Sequence, residues 1–235
     1  MGLHKKRIEA YKQAIRIKPD DAETFFSLGI SYGEIGLHKK AIEAYKQAIR
    51  IKPDDALAHC ILGFCYDTLG HHKKAIEAFK QAIRINPDFA NPHRGLGSSY
   101  IQLGRYKEAI GALKQAIRID PDYASSHYGL GYSYAELGRN KEAIEAYKQA
   151  IRIDPDYAEA HHNLGLRYAH LGLNKKAIDA CKQAIRIKPD DVMAHYNLGV
   201  LSLFINNTGA ALEQYKILKR LDKNLANKLF NLIYP

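Results

Sequence analysis

Five histidines recur at one interval. His59, His93, His127, His161 and His195 each stand 34 residues from the next. Imidazole ligates metals and moves protons near neutral pH, so the series invites a metal-site or acid–base reading. The interval argues against both. Ligands of one metal ion all lie about 2 Å from it, whereas residues one structural repeat apart are separated by a helix-packing distance, roughly 10 Å. A ladder at that spacing does not close around one ion, and the histidines read as polar-tipped packing residues. The adjacent pairs His71–His72 and His161–His162 are no better placed, because neighbours on a helix diverge by about 100°.

Other chemistry is equally sparse. Cys60, Cys65 and Cys181 show no C-x-x-C spacing and read as small apolar residues in a reducing compartment. No G-x-G-x-x-G, P-loop, H-E-x-x-H or G-x-S-x-G occurs. Glu43, Glu77 and Glu145 follow Lys39, Lys73 and Lys141 by four residues. That is ion-pair spacing on a solvated helix face, worth a few tenths of a kcal/mol, about 0.3 each. The expectation is no catalytic residue, no metal, no cofactor and no enzymatic activity.

The chain has 235 residues, 46% of them hydrophobic and 26% charged, with a formal charge of +10. These are the proportions of a folded, water-soluble protein. No window approaches the roughly eighteen apolar residues of a membrane span. The N-terminal MGLHKKRIEAYKQ lacks the apolar core of an export signal, and Lys6 spoils the myristoylation pattern that Met1-Gly2 begins. The chain therefore reads as cytoplasmic.

What positions these residues is a repeat. EAYKQAIRIKPDDA occupies Glu9–Ala22 and recurs unchanged at Glu43–Ala56, with close copies after Glu77, Gly111, Glu145 and Asp179. Prolines mark the period at Pro19, Pro53, Pro87, Pro121, Pro155 and Pro189, 34 residues apart. Counting Ala22 as place one, Phe25, Leu28, Gly29 and Tyr32 form one stripe of a 3.6-residue period, and Ala41, Ile42, Tyr45, Ala48 and Ile49 form another. Each repeat is thus a first helix (A) and a second helix (B). Gly36, Gly70, Gly104, Gly138 and Gly172 end the A helices, where a left-handed residue is easiest for glycine. Each Pro-Asp pair stops a B helix. The glycines at place eight let A and B approach closely, and the tyrosines at place eleven, from Tyr32 to Tyr168, are expected to fill the gap beside them.

This pattern resembles the tetratricopeptide repeat (TPR), with period 34 and a signature W-x-x-L-G-x-x-Y followed by Ala, an aromatic, Ala and Pro. Here Phe25 and the histidine series stand at the Trp place. The resemblance implies an all-α, right-handed superhelical α-solenoid of antiparallel helix pairs. Its parts are a half-repeat over 1–21, five repeats over 22–55, 56–89, 90–123, 124–157 and 158–191, a degenerate sixth over 192–224, and a capping helix over 225–235, all in one solenoid. The half-repeat is a B helix whose Ile8, Tyr11, Ala14 and Ile15 lack a cover, which suggests either a missing upstream segment or stacking on a second copy. The cap sets Leu225, Leu229, Leu232 and Ile233 on one stripe.

The resemblance also implies a function. In TPR proteins the A helices line a concave groove that holds a partner, and the B helices form the outside. The recurrent Lys39, Lys46 and Arg50 series then faces outward. The groove places supply Phe26, Ile30, Cys60, Phe64, Arg94, Tyr128, Tyr132, His162, Asn163, Tyr196 and Asn197 as candidate peptide-binding residues. Five carboxylates there, Glu23, Glu34, Asp67, Glu136 and Glu159, face one fixed cation, Arg94. Such a trough suits a protein or peptide ligand with apolar anchors and some basic residues, and disfavours nucleic acid. Phe26 and Ile30 stand where the family's carboxylate clamp would need charge. Asn163 and Asn197, in HNLG and YNLG, match the asparagine ladder by which some TPR arms hold a peptide backbone. The leading expectation is a non-catalytic protein–protein interaction scaffold. The alternatives are a substrate-recruiting arm of a larger enzyme such as a glycosyltransferase, or a self-assembling structural protein.

Overall fold

In the computed structural model, which describes residues 2–235, the repeat sequence folds into helices joined by two kinds of turn. The first helix is α1 (Gly2–Ile17). Six A–B pairs follow: α2 (Ala22–Glu34) with α3 (His38–Ile51), α4 (Ala56–Thr68) with α5 (His72–Ile85), and α6 (Ala90–Gln102) with α7 (Tyr106–Ile119). Next come α8 (Ala124–Glu136) with α9 (Asn140–Ile153), α10 (Ala158–His170) with α11 (Asn174–Ile187), and α12 (Val192–Phe204) with α13 (Thr208–Leu221). The last helix, α14 (Lys223–Ile233), starts two residues before the expected cap because Asp222 caps it, accepting from the backbone N–H of Asn224 and Leu225. The helices group into two compact units, one ending at Pro121 and one spanning Asp122–Pro235.

The A-to-B turn needs one left-handed residue. Gly36, Gly70, Gly104, Gly138 and Gly172 supply it, with φ between 68° and 73°. In the degenerate repeat Asn206 takes the same place at φ 57°, as the side chain that best tolerates that region after glycine. The B-to-A turn has two chemistries. In two of the three Pro-Asp-Asp turns the second Asp caps the next helix: Asp55 accepts from Ala58 N–H and Asp191 from Ala194 N–H, whereas Asp21 accepts from the Thr24 hydroxyl. Where an aromatic residue replaces that Asp, the residue before proline closes the turn, and Asn86 and Asp154 accept from the N–H two residues on.

Packing within the first four hairpins sets a glycine against a large side chain of the B helix. A Cβ on Gly29 would meet Tyr45 at 2.7 Å, on Gly63 Phe79 at 2.6 Å, on Gly97 Leu113 at 2.6 Å, and on Gly131 Tyr147 at 2.8 Å. The gap beside these four glycines is therefore filled from place twenty-four on the B helix, not from the place-eleven tyrosines. Those tyrosines lie instead beneath cations: Arg105 is 4.7 Å from the Tyr100 ring centroid, Arg139 4.6 Å from Tyr134, and Lys40 5.8 Å from Tyr32. The expected pairing of Glu145 with Lys141 is also replaced: Lys148, one turn on, donates to Glu145 at 2.8 Å.

The ends differ from the middle. Ile8 is not uncovered. It is buried with Leu28 and Ala44, and Tyr11 and Ile15 pack beside it. The opposite face of α1 is bare, with Leu3 79% and Ile17 86% exposed. At the other end Leu218, Ala226 and Leu229 are fully buried with Leu225 and Ile233 against them, whereas Leu232 points outward. Among the described residues, no helix is long and apolar enough to cross a membrane.

Candidate functional site

Within each unit, A helices touch the A helices of neighbouring repeats: α4 meets α6, and α10 meets both α8 and α12. Among the described residues, B helices make no comparable contact with each other. Place-five and place-six side chains of consecutive A helices therefore come within bonding reach.

In the first unit the candidates are mostly apolar. Phe26 stands edge-on to Tyr45 with centroids 5.5 Å apart, and Phe64 edge-on to Phe79 at 5.0 Å. Ile30, Phe64 and the neighbouring Leu57 are exposed. Cys60 is the exception. It is 1% exposed, a core thiol that burial pushes up to about 12, and it offers nothing to a surface ligand. Arg94 is partly buried and close enough to Cys60 to oppose that push.

Two of the five groove carboxylates are already engaged. Glu34 pairs with Arg7, and His4 lies 3.4 Å away. Asp67 accepts from His72 Nδ1–H at 2.8 Å and from Ser99 Oγ–H at 2.7 Å, which ties α4 to α5 and α6. The acidic surplus read from the sequence is correspondingly smaller.

In the second unit the candidates form a polar shelf. Asn163 Nδ2 donates to Tyr128 Oη at 3.0 Å. Asn197 Nδ2 lies 3.4 Å from His162 Nε2. Both contacts join a place-six amide to the place-five residue of the preceding repeat. Tyr128 is further fixed by the Tyr157 ring, centroids 4.9 Å apart, and by Tyr147 at 5.8 Å. Burial raises the Tyr128 phenol and, more strongly, pushes Tyr157 up to about 12, so both remain protonated donors. Tyr132 lies partly buried nearby. Tyr196 packs against the cap cluster of Leu218 and Leu229. Beyond it, Met193 and Phe204 present exposed apolar surface, Phe204 at 71%.

The ladder's breaks have a cause in at least one repeat. A Cβ on Gly95, the place-six residue of the third repeat, would fall inside the ring of Phe79. Asparagine cannot occupy that position beside a place-twenty-four phenylalanine.

The histidine series is structural. His59, His93, His161 and His195 each direct Nε2 to the carbonyl of the proline six residues earlier, at 2.9–3.0 Å. Each therefore ties an A helix to the turn that starts it. A carbonyl only accepts, which places the proton on Nε2. Among the described residues, no three His, Cys, Asp or Glu side chains gather as a metal ion would require.

Stacked hairpins of constant length, monotonous along the B helices and varied along the A helices, define a helical-repeat protein. Comparison with known families agrees. The profile described as cilia and flagella-associated protein 70 C-terminal domain matches residues 36–227, and one described as TPR repeat matches residues 7–36. The chain belongs to the tetratricopeptide-repeat family. No curated protein sequence matches it. Among solved structures, MamA is 31% identical over 69% of this chain and 95% of its own, with a TM-score of 0.66. YrrB, described as a TPR protein with an unusual peptide-binding site, is 24% identical over 80% of this chain and 96% of its own, with a TM-score of 0.68. The pilF protein of Pseudomonas aeruginosa shares the fold at a TM-score of 0.78 and 19% identity, over 90% of this chain and 96% of its own.

Proposed function

We propose that this chain is a non-catalytic scaffold that holds a peptide or protein segment against the A-helix face. The observation that carries the reading is the shelf of Tyr128, His162, Asn163 and Asn197, flanked by exposed apolar side chains. Each amide uses one N–H on the preceding repeat. Its Oδ1 and second N–H are left for a backbone, which an amide can serve from both sides. Exposed Met193 and Phe204 in the second unit, and Ile30 and Phe64 in the first, offer seats for apolar anchors. Glu136 and Glu159 favour Lys or Arg in the ligand. The long lysine series of the B helices serves solubility.

Panning a phage-displayed dodecapeptide library on the intact chain tests this. The expected winners combine Leu or Phe anchors with Lys or Arg. Tyr128→Ala combined with Asn197→Ala should weaken them at least tenfold by calorimetry, about two lost hydrogen bonds. Winners that bind this double variant unchanged would refute the assignment.

A further inference from the structure

His162 stands between an acid and an amide. Its Nδ1 is buried, makes no hydrogen bond, and lies 3.9 Å from Asp191 Oδ2. Its Nε2 faces Asn197 Nδ2. Asp191 is itself anchored, because its Oδ1 accepts from Ala194 N–H at the start of α12. That anchor leaves Oδ2 to the imidazole. A carboxylate beside Nδ1 favours the tautomer with its proton there, so Nε2 carries the lone pair and accepts from Asn197. The amide is then fixed with Oδ1 away from the ring.

The groups facing His162 are few. Asp191 comes from the turn before α12 and Glu159 from α10 itself, and both favour the charged ring. Cys181 of α11 interacts with the same Asp191, and burial pushes its thiol up to about 12, so it stays neutral. Desolvation outweighs the carboxylates and holds His162 below the ordinary histidine value. The ring is neutral at pH 7 and takes up a proton on acidification.

We propose that His162 is a proton-operated positioning residue for Asn197. When neutral, it accepts from the amide and presents Oδ1 to a bound chain. When protonated, its Nε2–H donates, and the amide turns its oxygen to the ring and its NH2 outward. This rests on the reading that Asn197 contacts a bound backbone. A ligand N–H that met an acceptor at neutral pH then meets a donor.

Two measurements test it on the full chain. The first follows the side-chain amide resonances of Asn197 and Asn163 with the His162 imidazole from pH 8 to pH 5. Asn197 should titrate with the His162 midpoint, and Asn163, held by Tyr128, should not follow it. His162→Gln should abolish the Asn197 titration. Asp191→Asn, which keeps a capping oxygen, should lower the shared midpoint. A flat Asn197 signal across the His162 titration, or an unmoved midpoint in Asp191→Asn, overturns the proposal. The second measures a capped, fluorescein-labelled peptide of four Lys-Thr-Leu triplets by polarisation. Its affinity should fall about fivefold from pH 7.5 to pH 5.5, roughly one net hydrogen bond, and less than about twofold in His162→Gln. Equal falls in both proteins overturn the switch. No binding at pH 7.5 counts against the groove reading alone, because the resonance titration still decides the His162–Asn197 coupling.

Discussion

Single side chains decide which places of the repeat reach a ligand. Place five was expected to line the groove throughout, and two long residues there, Tyr128 and His162, reach the amide of the next repeat. Cys60, at the same place, is too short to leave the core. Periodicity records the direction of a side chain and not its reach, so this distinction was not legible. The candidate rungs Asn163 and Asn197 were legible from HNLG and YNLG. Their partners were not, because a contact 35 residues apart depends on how closely successive A helices approach. Gly95→Asn would put an amide at place six of the third repeat, but Phe79 occupies the space. The substitution should destabilise by about 1–3 kcal/mol, the cost of overpacking. Adding Phe79→Leu, the residue type that Leu113 supplies one repeat on, should recover much of that loss in urea denaturation. His162 gives a further test. Its folded value is lowered and its unfolded value is ordinary, near 6.5. The unfolded chain then binds the proton first, so the stabilisation is present above about pH 6.5 and is lost as pH falls toward the folded value. His162→Gln should flatten stability over that window.

At the scale of helices and turns, the sequence was nearly sufficient. Proline and glycine set the breaks, and alternating stripes set the buried faces. The filling of the glycine gap was misassigned, since places eleven and twenty-four both carry large side chains in most repeats and both lie on core stripes. Only the crossing of A and B shows that Tyr45, Phe79, Leu113 and Tyr147 meet the glycines, while Tyr100 and Tyr134 lie under arginines. The turns offer a paired test. Gly70→Ala places a Cβ at φ 73° and should cost about 1–2 kcal/mol. Asn206→Gly relieves the one non-glycine left-handed residue among those described and should gain up to about 0.5 kcal/mol. Opposite shifts in melting temperature, about 2–4 °C per kcal/mol in a chain of this size, would be observed.

For the whole chain, the two end helices carry the consequences. Residues Glu9–Ala22 copy Glu43–Ala56, but α3 is covered by α2 and buries Tyr45 and Ala48, whereas Tyr11 and Ala14 of α1 remain partly open. The bare face with Leu3 and Ile17 suits a second copy. The end helix α14 is a poor match for it. Ile233 stands where the repeats keep glycine opposite the ring that Tyr11 would present, and Lys223 and Lys228 would oppose the lysines of α1. If copies associate, α1 should meet α1, giving a closed dimer and not a growing chain. Light scattering should then reach at most twice the monomer mass, rise with salt as the net charge of +10 is screened, and revert to monomer in Ile17→Lys. Mass growing beyond the dimer would refute this.

The three thiols have a use of their own. Cys60 and Cys65 lie buried in one unit and Cys181 in the other, and burial raises all three away from the reactive thiolate. An alkylating reagent can reach them only when the surrounding helices part. The rate of mass gain therefore clocks spontaneous opening, with two counters in the first half and one in the second, so a single mass-spectrometric time course ranks the looseness of the halves without any added label.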